Sequence, residues 1–116
     1  GGNDTLDGGN GDDILNGGAG NDTFNVATGN DTMVFAPGFG NDVVLNFDAN
    51  PTGGQDLMDI SAFGITAATF AARVSIIADA GAPSGALVTI DSNVGQTIKL
   101  AGIAVAAVNQ TDFLLA

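Results

Sequence analysis

The 116 residues contain no cysteine, histidine, glutamate, tryptophan or tyrosine, and only two cations, Arg73 and Lys99. Each gap excludes something. Without Cys there is no disulfide framework, no thiol nucleophile and no zinc–thiolate site. Without His, the usual near-neutral proton carrier and transition-metal ligand is missing. Two cations give counterion-release binding of nucleic acid, or attraction to an anionic membrane surface, almost no source. No apolar run approaches the roughly 18–20 residues that span a bilayer, so neither nucleic acid nor membrane insertion is expected. What remains is distinctive: 13 acidic residues, all Asp, beside 18 Gly and 11 Asn, for a formal charge of −11. Short carboxylates among turn-forming residues point to hard-cation ligands in tight loops.

The charge is uneven. Residues 1–48 hold eight of the Asp and 11 of the Gly with no cation, whereas residues 49–116 hold five Asp, both cations and most of the large aliphatic side chains. A block of like charge normally stays extended, so something must neutralise the first part if it folds. The length suits one domain.

A nine-residue repeat organises the acidic part. Gly8-Gly9-Asn10-Gly11-Asp12-Asp13-Ile14-Leu15-Asn16 and Gly17-Gly18-Ala19-Gly20-Asn21-Asp22-Thr23-Phe24-Asn25 both satisfy G-G-x-G-x-D-x-U-x, with U a large apolar residue. A preceding partial unit keeps Gly2, Asp4 and Leu6; the unit from Val26 to Val34 keeps Gly29, Asp31 and Met33. After an insertion, Phe35-Ala36, the unit from Pro37 to Leu45 keeps Gly40, Asp42 and Val44. A Gly-rich linker would not place Asp and an apolar residue at fixed offsets.

On these residues the chain resembles the RTX, or haemolysin-type, calcium-binding nonapeptide repeats of secreted bacterial proteins. The resemblance implies an all-β fold, a right-handed parallel β-roll over residues 1–47. A small antiparallel β cap with one short helix follows over residues 48–116, as one continuous folding unit. Two nonapeptides make one coil, so turns 18 residues apart stack. Asp4, Asp22 and Asp42 are then expected in one column of ligands and Asp13 and Asp31 in the other, with carbonyls of Gly8, Asn10, Gly17 and Ala19 completing the sites. That arrangement implies about three Ca²⁺ ions between turns, since calcium needs six to eight oxygens and one turn cannot supply them. Leu6, Phe24 and Val44 should stack inside one sheet, opposite Leu15 and Met33. The ninth positions change from Asp7, Asn16 and Asn25 to Val34 and Leu45, so the outer face is expected to be wet early and covered later. Replacement of the Gly pair by Val26-Ala27 weakens the turn at Asp31.

Asp48, Asn50, Thr52, Asp56 and Asp59, with Gly53, occupy EF-hand loop spacing. The fit is partial, because Asp replaces the bidentate Glu and Pro51 intrudes. The segment reads either as a plain Gly/Pro/Asp turn or as the site of a further ion near residues 48–59, with Asp48 alone as an extra ligand to the last ion. Asp56-Leu-Met-Asp59-Ile-Ser-Ala-Phe63-Gly64 also resembles the segment that follows the repeats in serralysin-like proteases. Residues Thr66 to Ala72 predict a short helix; Val74 to Ala78, Ala86 to Ile90 and Gln96 to Leu100 predict strands, the first two around a turn at Gly81–Gly85. The ending Asp112-Phe113-Leu114-Leu115-Ala116 resembles an uncleaved type I secretion signal, apart from its last Ala.

Catalysis is not expected in this segment: Ser and Thr have no His partner, Lys99 has no Ser–Lys motif, and the Asp residues belong to the repeat. The resemblance implies a calcium-binding module of a larger secreted bacterial protein, folding on calcium outside the cell. Its partners would be an N-terminal domain of the same parent protein, a secreted enzyme such as a protease, lipase, epimerase or peroxidase, and the type I secretion machinery. The other readings are a polysaccharide-binding module of an alginate-epimerase-like enzyme and a segment of a calcium-dependent adhesin or ice-binding solenoid. For the last, the outward Thr5–Thr23 array is short, and Val43 ends it.

Overall fold

A computed structural model of the chain describes residues 2–26, 29–48, 56–81, 84–93 and 95–116. The x-U-x triplets form strands of two or three residues: β1 Thr5–Asp7, β2 Ile14–Leu15, β3 Thr23–Asn25 and β4 Thr32–Val34. They continue as β5 Asn41–Leu45 and β6 Leu57–Asp59. Such short strands cannot hold alone. They persist because successive strands fall alternately on two parallel sheets, so that each apolar U residue stacks on one from the coil before.

In the first sheet Leu6 pairs with Phe24 and Phe24 with Val44; in the second Leu15 pairs with Met33 and Met33 with Met58. Phe24, Met33, Val44 and Met58 are fully buried, whereas Leu6 and Leu15 are half-buried. Among the described residues, β1 and β2 each pair with a strand on one side. The Phe35-Ala36 insertion places Phe35 in the core, where edge-on aromatic contacts run from Phe24 through Phe35 and Phe39 to Phe63.

Beyond the repeats come α1 Phe70–Arg73, β7 Val74–Asp79, β8 Gly85–Ile90, β9 Thr97–Ala101 and β10 Phe113–Leu114. The helix expected over residues 66–72 starts late. Thr69 Oγ accepts the Thr66 N–H at 3.0 Å, a side-chain bond that favours a turn over a continuing helix. Strands β7 and β8 form the expected antiparallel pair, with residues 82–83 of the turn outside the described set.

β9 does more than complete a cap. It runs antiparallel to β8 and parallel to β5, from Asn41 opposite Thr97 to Val44 opposite Leu100. The first sheet is therefore β1-β3-β5-β9-β8-β7 and the second β10-β6-β4-β2. Roll and cap share both sheets, and β9 covers what would otherwise be an open edge at β5. Along the outer face Asp7 and Asn16 are exposed while Val34 and Leu45 are half-buried, so the expected covering is partial. Among the described residues no helix is long and apolar enough to cross a membrane.

Candidate metal centre

The turns that carry the aspartates are built on glycine. The fourth repeat position is left-handed in each repeat where it is described, with φ of 86° at Gly2, 93° at Gly11, 111° at Gly20, and 95° at both Gly29 and Gly40. Close approach adds a second requirement. A Cβ on Gly20 would collide with the carbonyl oxygen of Gly2, one on Gly29 with that of Gly11, and one on Gly40 with that of Gly20. Only Gly lets the turns stack this closely in this conformation.

The stacked turns bring the aspartates together as two ladders. The Asp4 N–H donates to Oδ1 of Asp22, and the Asp22 N–H to Oδ1 of Asp42, both at 2.8 Å. In the other column Asp13 N–H donates to Oδ1 of Asp31, and Asp31 N–H to Oδ1 of Asp56, again at 2.8 Å. One oxygen of each accepting carboxylate is thus held by backbone. The second oxygen of Asp22 and of Asp31, and likewise Oδ2 of Asp13, is stranded: each is buried and meets no hydrogen-bond donor among the described residues. Water cannot reach these atoms, and leaving a carboxylate oxygen in that state is costly. At Gly17 and Gly8 the missing side chain makes room for it, since a Cβ on Gly17 would collide with Asp22 Oδ2 and one on Gly8 would lie 3.2 Å from Asp13 Oδ2.

Electrostatics point the same way. Burial pushes the Asp42 carboxyl up to about 7, opposed by the hydrogen bond from the Asp22 N–H and reinforced by the Asp22 charge. Asp31 is also raised, by burial first and then by the neighbouring Asp13 and Asp12 charges, against the bond from the Asp13 N–H. Asp56 is raised by burial against two N–H bonds, from Asp31 and Asp48. A column of carboxylates that resist ionising is short of positive charge. The donors are all oxygen, which suits a hard cation and excludes a soft one. Among the described residues no three carboxylates converge on one point. Any ion here would take two carboxylates from adjacent turns and most of its ligands from carbonyls or water. Calcium, with six to eight oxygens and tolerant geometry, fits that donor set better than magnesium.

The structure distributes the remaining candidate residues unequally. Asn10 and Ala19 sit exposed at the turn tips. Asp48 and Asp56 are bonded to one another: Asp48 N–H donates to Asp56 Oδ2 at 2.9 Å, and Asp56 N–H to the Asp48 carbonyl at 2.9 Å. Both Asp56 oxygens therefore already accept N–H groups. Asp59 lies at the far end of β6, beside Val34 in the register, and its Oδ1 accepts the Ser61 N–H at 3.0 Å. Asp59 thus lies three residues along the chain from Asp56, away from the ladder. The Asn50, Thr52 and Gly53 positions of the EF-hand-like spacing lie outside the described residues, as does Ala27.

Two features escaped the sequence reading. Asp56 is the next rung of the Asp13–Asp31 column, with Met58 in the U position; the long interval after Asp42 hides it. The second feature is a ladder at the fifth repeat position. Asn21 N–H donates to Asn3 Oδ1 at 2.8 Å, Asn30 N–H to Asp12 Oδ1 at 2.8 Å, and Asn41 N–H to Asn21 Oδ1 at 3.0 Å. Thr97 Oγ then donates to Asn41 Oδ1 at 2.9 Å and ends one column. These bonds run opposite to the Asp bonds, so neighbouring coils clasp each other reciprocally. The signal was present, since the fifth position reads Asn3, Asp12, Asn21, Asn30 and Asn41. The ninth-position side chains also have a role: Asp7 and Asn16 accept the Gly9 and Gly18 N–H groups at 3.0 Å and fix the start of each turn.

Residues 1–33 match the family model for the RTX calcium-binding nonapeptide repeat (4 copies). No curated protein matches the chain. Among solved structures, the AlgE6R3 subunit of the Azotobacter vinelandii mannuronan C5-epimerase aligns at 20% identity and a TM-score of 0.48, covering 99% of this chain and 79% of that one. The nine-residue motif, the stacked aspartate ladders and the family match coincide on the same residues: positions 1–33 of this chain are RTX calcium-binding repeats, wound as a parallel β-roll.

Proposed function

We propose that the module is a calcium-gated folding unit of a secreted protein. The observation that carries this reading is the set of buried Asp13, Asp22 and Asp31 Oδ2 atoms with no donor. Without metal, like charges stack in columns while the first coil buries little apolar surface, too little to offset chain entropy. Metal binding and folding then become one event. Three ions are expected, one each between the turns of Asp4 and Asp22, Asp22 and Asp42, and Asp13 and Asp31. Carbonyls of Gly8, Asn10, Gly17 and Ala19 would supply further oxygens. Three divalent ions would offset six of the 11 formal negative charges. Asp56, its oxygens already bonded to backbone, closes its column without a full site.

An extended chain in a calcium-poor cytoplasm and a folded one at the near-millimolar calcium outside suit export through a narrow channel. The folded roll and cap would then stabilise an N-terminal domain of the same parent chain, with the C-terminal segment read by type I secretion machinery. Nothing in the geometry of the described residues builds a catalytic group of nucleophile and base. The polysaccharide-binding alternative has a mixed groove on the outer face of the first sheet, lined by Asn41, Val43, Ile77, Leu87, Thr97 and Lys99. It lacks the aromatic platform or basic row that sugar polyanions favour.

The test is a calcium titration followed by far-ultraviolet circular dichroism and a count of bound ions. Sheet signal rising with calcium, with about three ions bound, is expected. Equal sheet content in chelator and in millimolar calcium would remove the gating mechanism.

A further inference from the structure

Among the described residues four strands stand at the ends of the two sheets: β1 and β7 in the first, β2 and β10 in the second. β1, β2 and β10 have two or three residues, too few to recruit another strand. β7 has six, Val74-Ser75-Ile76-Ile77-Ala78-Asp79. It carries no Pro or Lys to blunt the edge, and Val74, Ile76 and Ile77 are β-branched residues that favour pairing in extended form. On one face Val74 and Ile76 pack on the core; on the other Ser75 is exposed and Ile77 is 52% exposed.

The register fixes which backbone groups of β7 are open. Asp91 N–H donates to the Arg73 carbonyl at 2.7 Å, and antiparallel pairs alternate between bonded and unbonded. Ser75, Ile77 and Asp79 are therefore the residues that bond across to Thr89, Leu87 and Gly85 of β8. On the other side of β8, Gly102 N–H donates to the Ser84 carbonyl at 2.8 Å, so Ala86, Val88 and Ile90 turn to β9 by the same alternation. The outward row of β7 comprises the N–H and carbonyl groups of Ile76 and Ala78, with the Val74 carbonyl. No hydrogen bond joins this row to a described residue. Val74 N–H is already used, donating to the Phe70 carbonyl.

We infer that β7 is a dimerisation edge, to which a second copy of the chain adds its own β7 as an antiparallel strand. The strand complements itself in that orientation. A two-fold axis at Ile76 sets Ile76 opposite Ile76, where the two residues exchange both bonds, and sets each Ala78 N–H opposite a Val74 carbonyl. The same register puts Ser75 across from Ile77 of the other copy, which covers the exposed Ile77 side chain, and Arg73 across from Asp79 of the other copy. Arg73 already pairs with Asp91 and Asp79 with Lys99, so each end of the contact becomes a chain of alternating charge. The acidic repeats do not oppose the approach, because β1 lies at the far edge of the sheet from β7. The two first sheets then form one continuous sheet, with the outer grooves at Ile77, Leu87 and Lys99 on the same face.

Sedimentation velocity of the intact chain in millimolar calcium, over a concentration series, tests this, with circular dichroism on the same samples. A monomer–dimer equilibrium is expected, weak because the contact is one strand wide. Ala78→Pro removes an outward N–H without touching the bonds to β8, and Ala78 is exposed. It should raise the dissociation constant by roughly tenfold or more with the sheet signal unchanged. Asp79→Arg sets like charges across the contact and should weaken association about threefold; adding Arg73→Asp should recover most of that loss. Should Ala78→Pro disturb the sheet signal, the charge variants decide alone. A chain that stays monomeric up to its solubility limit overturns the inference, as it would if β7 served a strand of a different protein. A dimer that Ala78→Pro and Asp79→Arg leave unchanged uses another surface and overturns it too. A double charge variant that recovers nothing overturns the register at Ile76.

Discussion

The repeats and the segment that follows them treat charge in opposite ways. After residue 56 the carboxylates have protein partners: Asp91 pairs with Arg73 at 2.7 Å, Asp79 with Lys99 at 2.9 Å, and Asp112 with the Asn109 N–H. In the repeats, carboxylates stack above one another, and three of them bury an oxygen that meets no donor among the described residues. The cap follows the ordinary rule that buried charge is paired. The roll breaks it systematically, at the same atom in successive repeats. A violation repeated at fixed spacing marks where a cation would fit, whereas the carboxylates that follow are satisfied by the protein's own groups.

The largest effect should come from the middle of a column. Asp22→Ala removes the carboxylate shared by two expected ions and should abolish the calcium-induced sheet signal or raise its midpoint more than tenfold, whereas Asp7→Ala, which loses one surface turn bond, should cost only about 1 kcal/mol. Equal midpoints for these two variants would break the column arrangement. Next is the turn glycine. Gly20→Ala places a side chain at φ 111° against the Gly2 carbonyl. It should cost about 2–4 kcal/mol and lower the thermal midpoint of the calcium-loaded protein, with the far smaller change expected at an exposed cap position as the control.

Acidity gives a third test. Asp42 is held up to about 7, with Asp31 and Asp56 also raised. The metal-free roll binds these protons more tightly than the unfolded chain does. Its stability from them is therefore present at pH below about 4 and is lost as pH rises through 7. The calcium-free chain is extended, and its carboxyls are already ionised above about pH 5, so calcium has few protons to displace and its midpoint should change less than about twofold between about pH 8 and 6. A midpoint that rises roughly tenfold over that range would show that the calcium-free chain already holds the roll with Asp42 protonated.

Smaller still is the clasp at the fifth position. Asn21→Ala removes the acceptor for Asn41 N–H and should cost about 1 kcal/mol, a few-fold in calcium midpoint without change in ion count. Asn21→Asp keeps the acceptor oxygen, as Asp12 does in the other column, and should recover most of the loss. Least of all, Arg73→Ala breaks an exposed ion pair with Asp91 and should leave calcium binding untouched.

Much of this was legible in the residues. The nine-residue period gave the two columns and the register of Leu6, Phe24 and Val44, because each coil repeats the same steric demand for Gly and the same apolar U residue. Where the period was interrupted, legibility failed. The thirteen residues between Asp42 and Asp56 conceal a further rung; the structure puts Asp59 three residues on from Asp56 at the far end of β6, where it accepts the Ser61 N–H. The fifth-position ladder was visible as a run of Asn and Asp, but as a free position of the motif it carried no assigned role.

The sequence by itself determined that the acidic part is a stack of repeated Gly/Asp turns, since that follows from local chemistry repeated at fixed spacing. Only the tertiary structure decided how the stack ends. Ile98 takes the place across from Asp42, Gln96 accepts the Gly38 N–H, β9 joins the roll to the cap, and β10 closes the second sheet with the end of the chain. Those contacts join residues more than fifty positions apart. No local pattern encodes them, because they depend on which open edge and which apolar face the folded repeats leave for the remaining chain to cover.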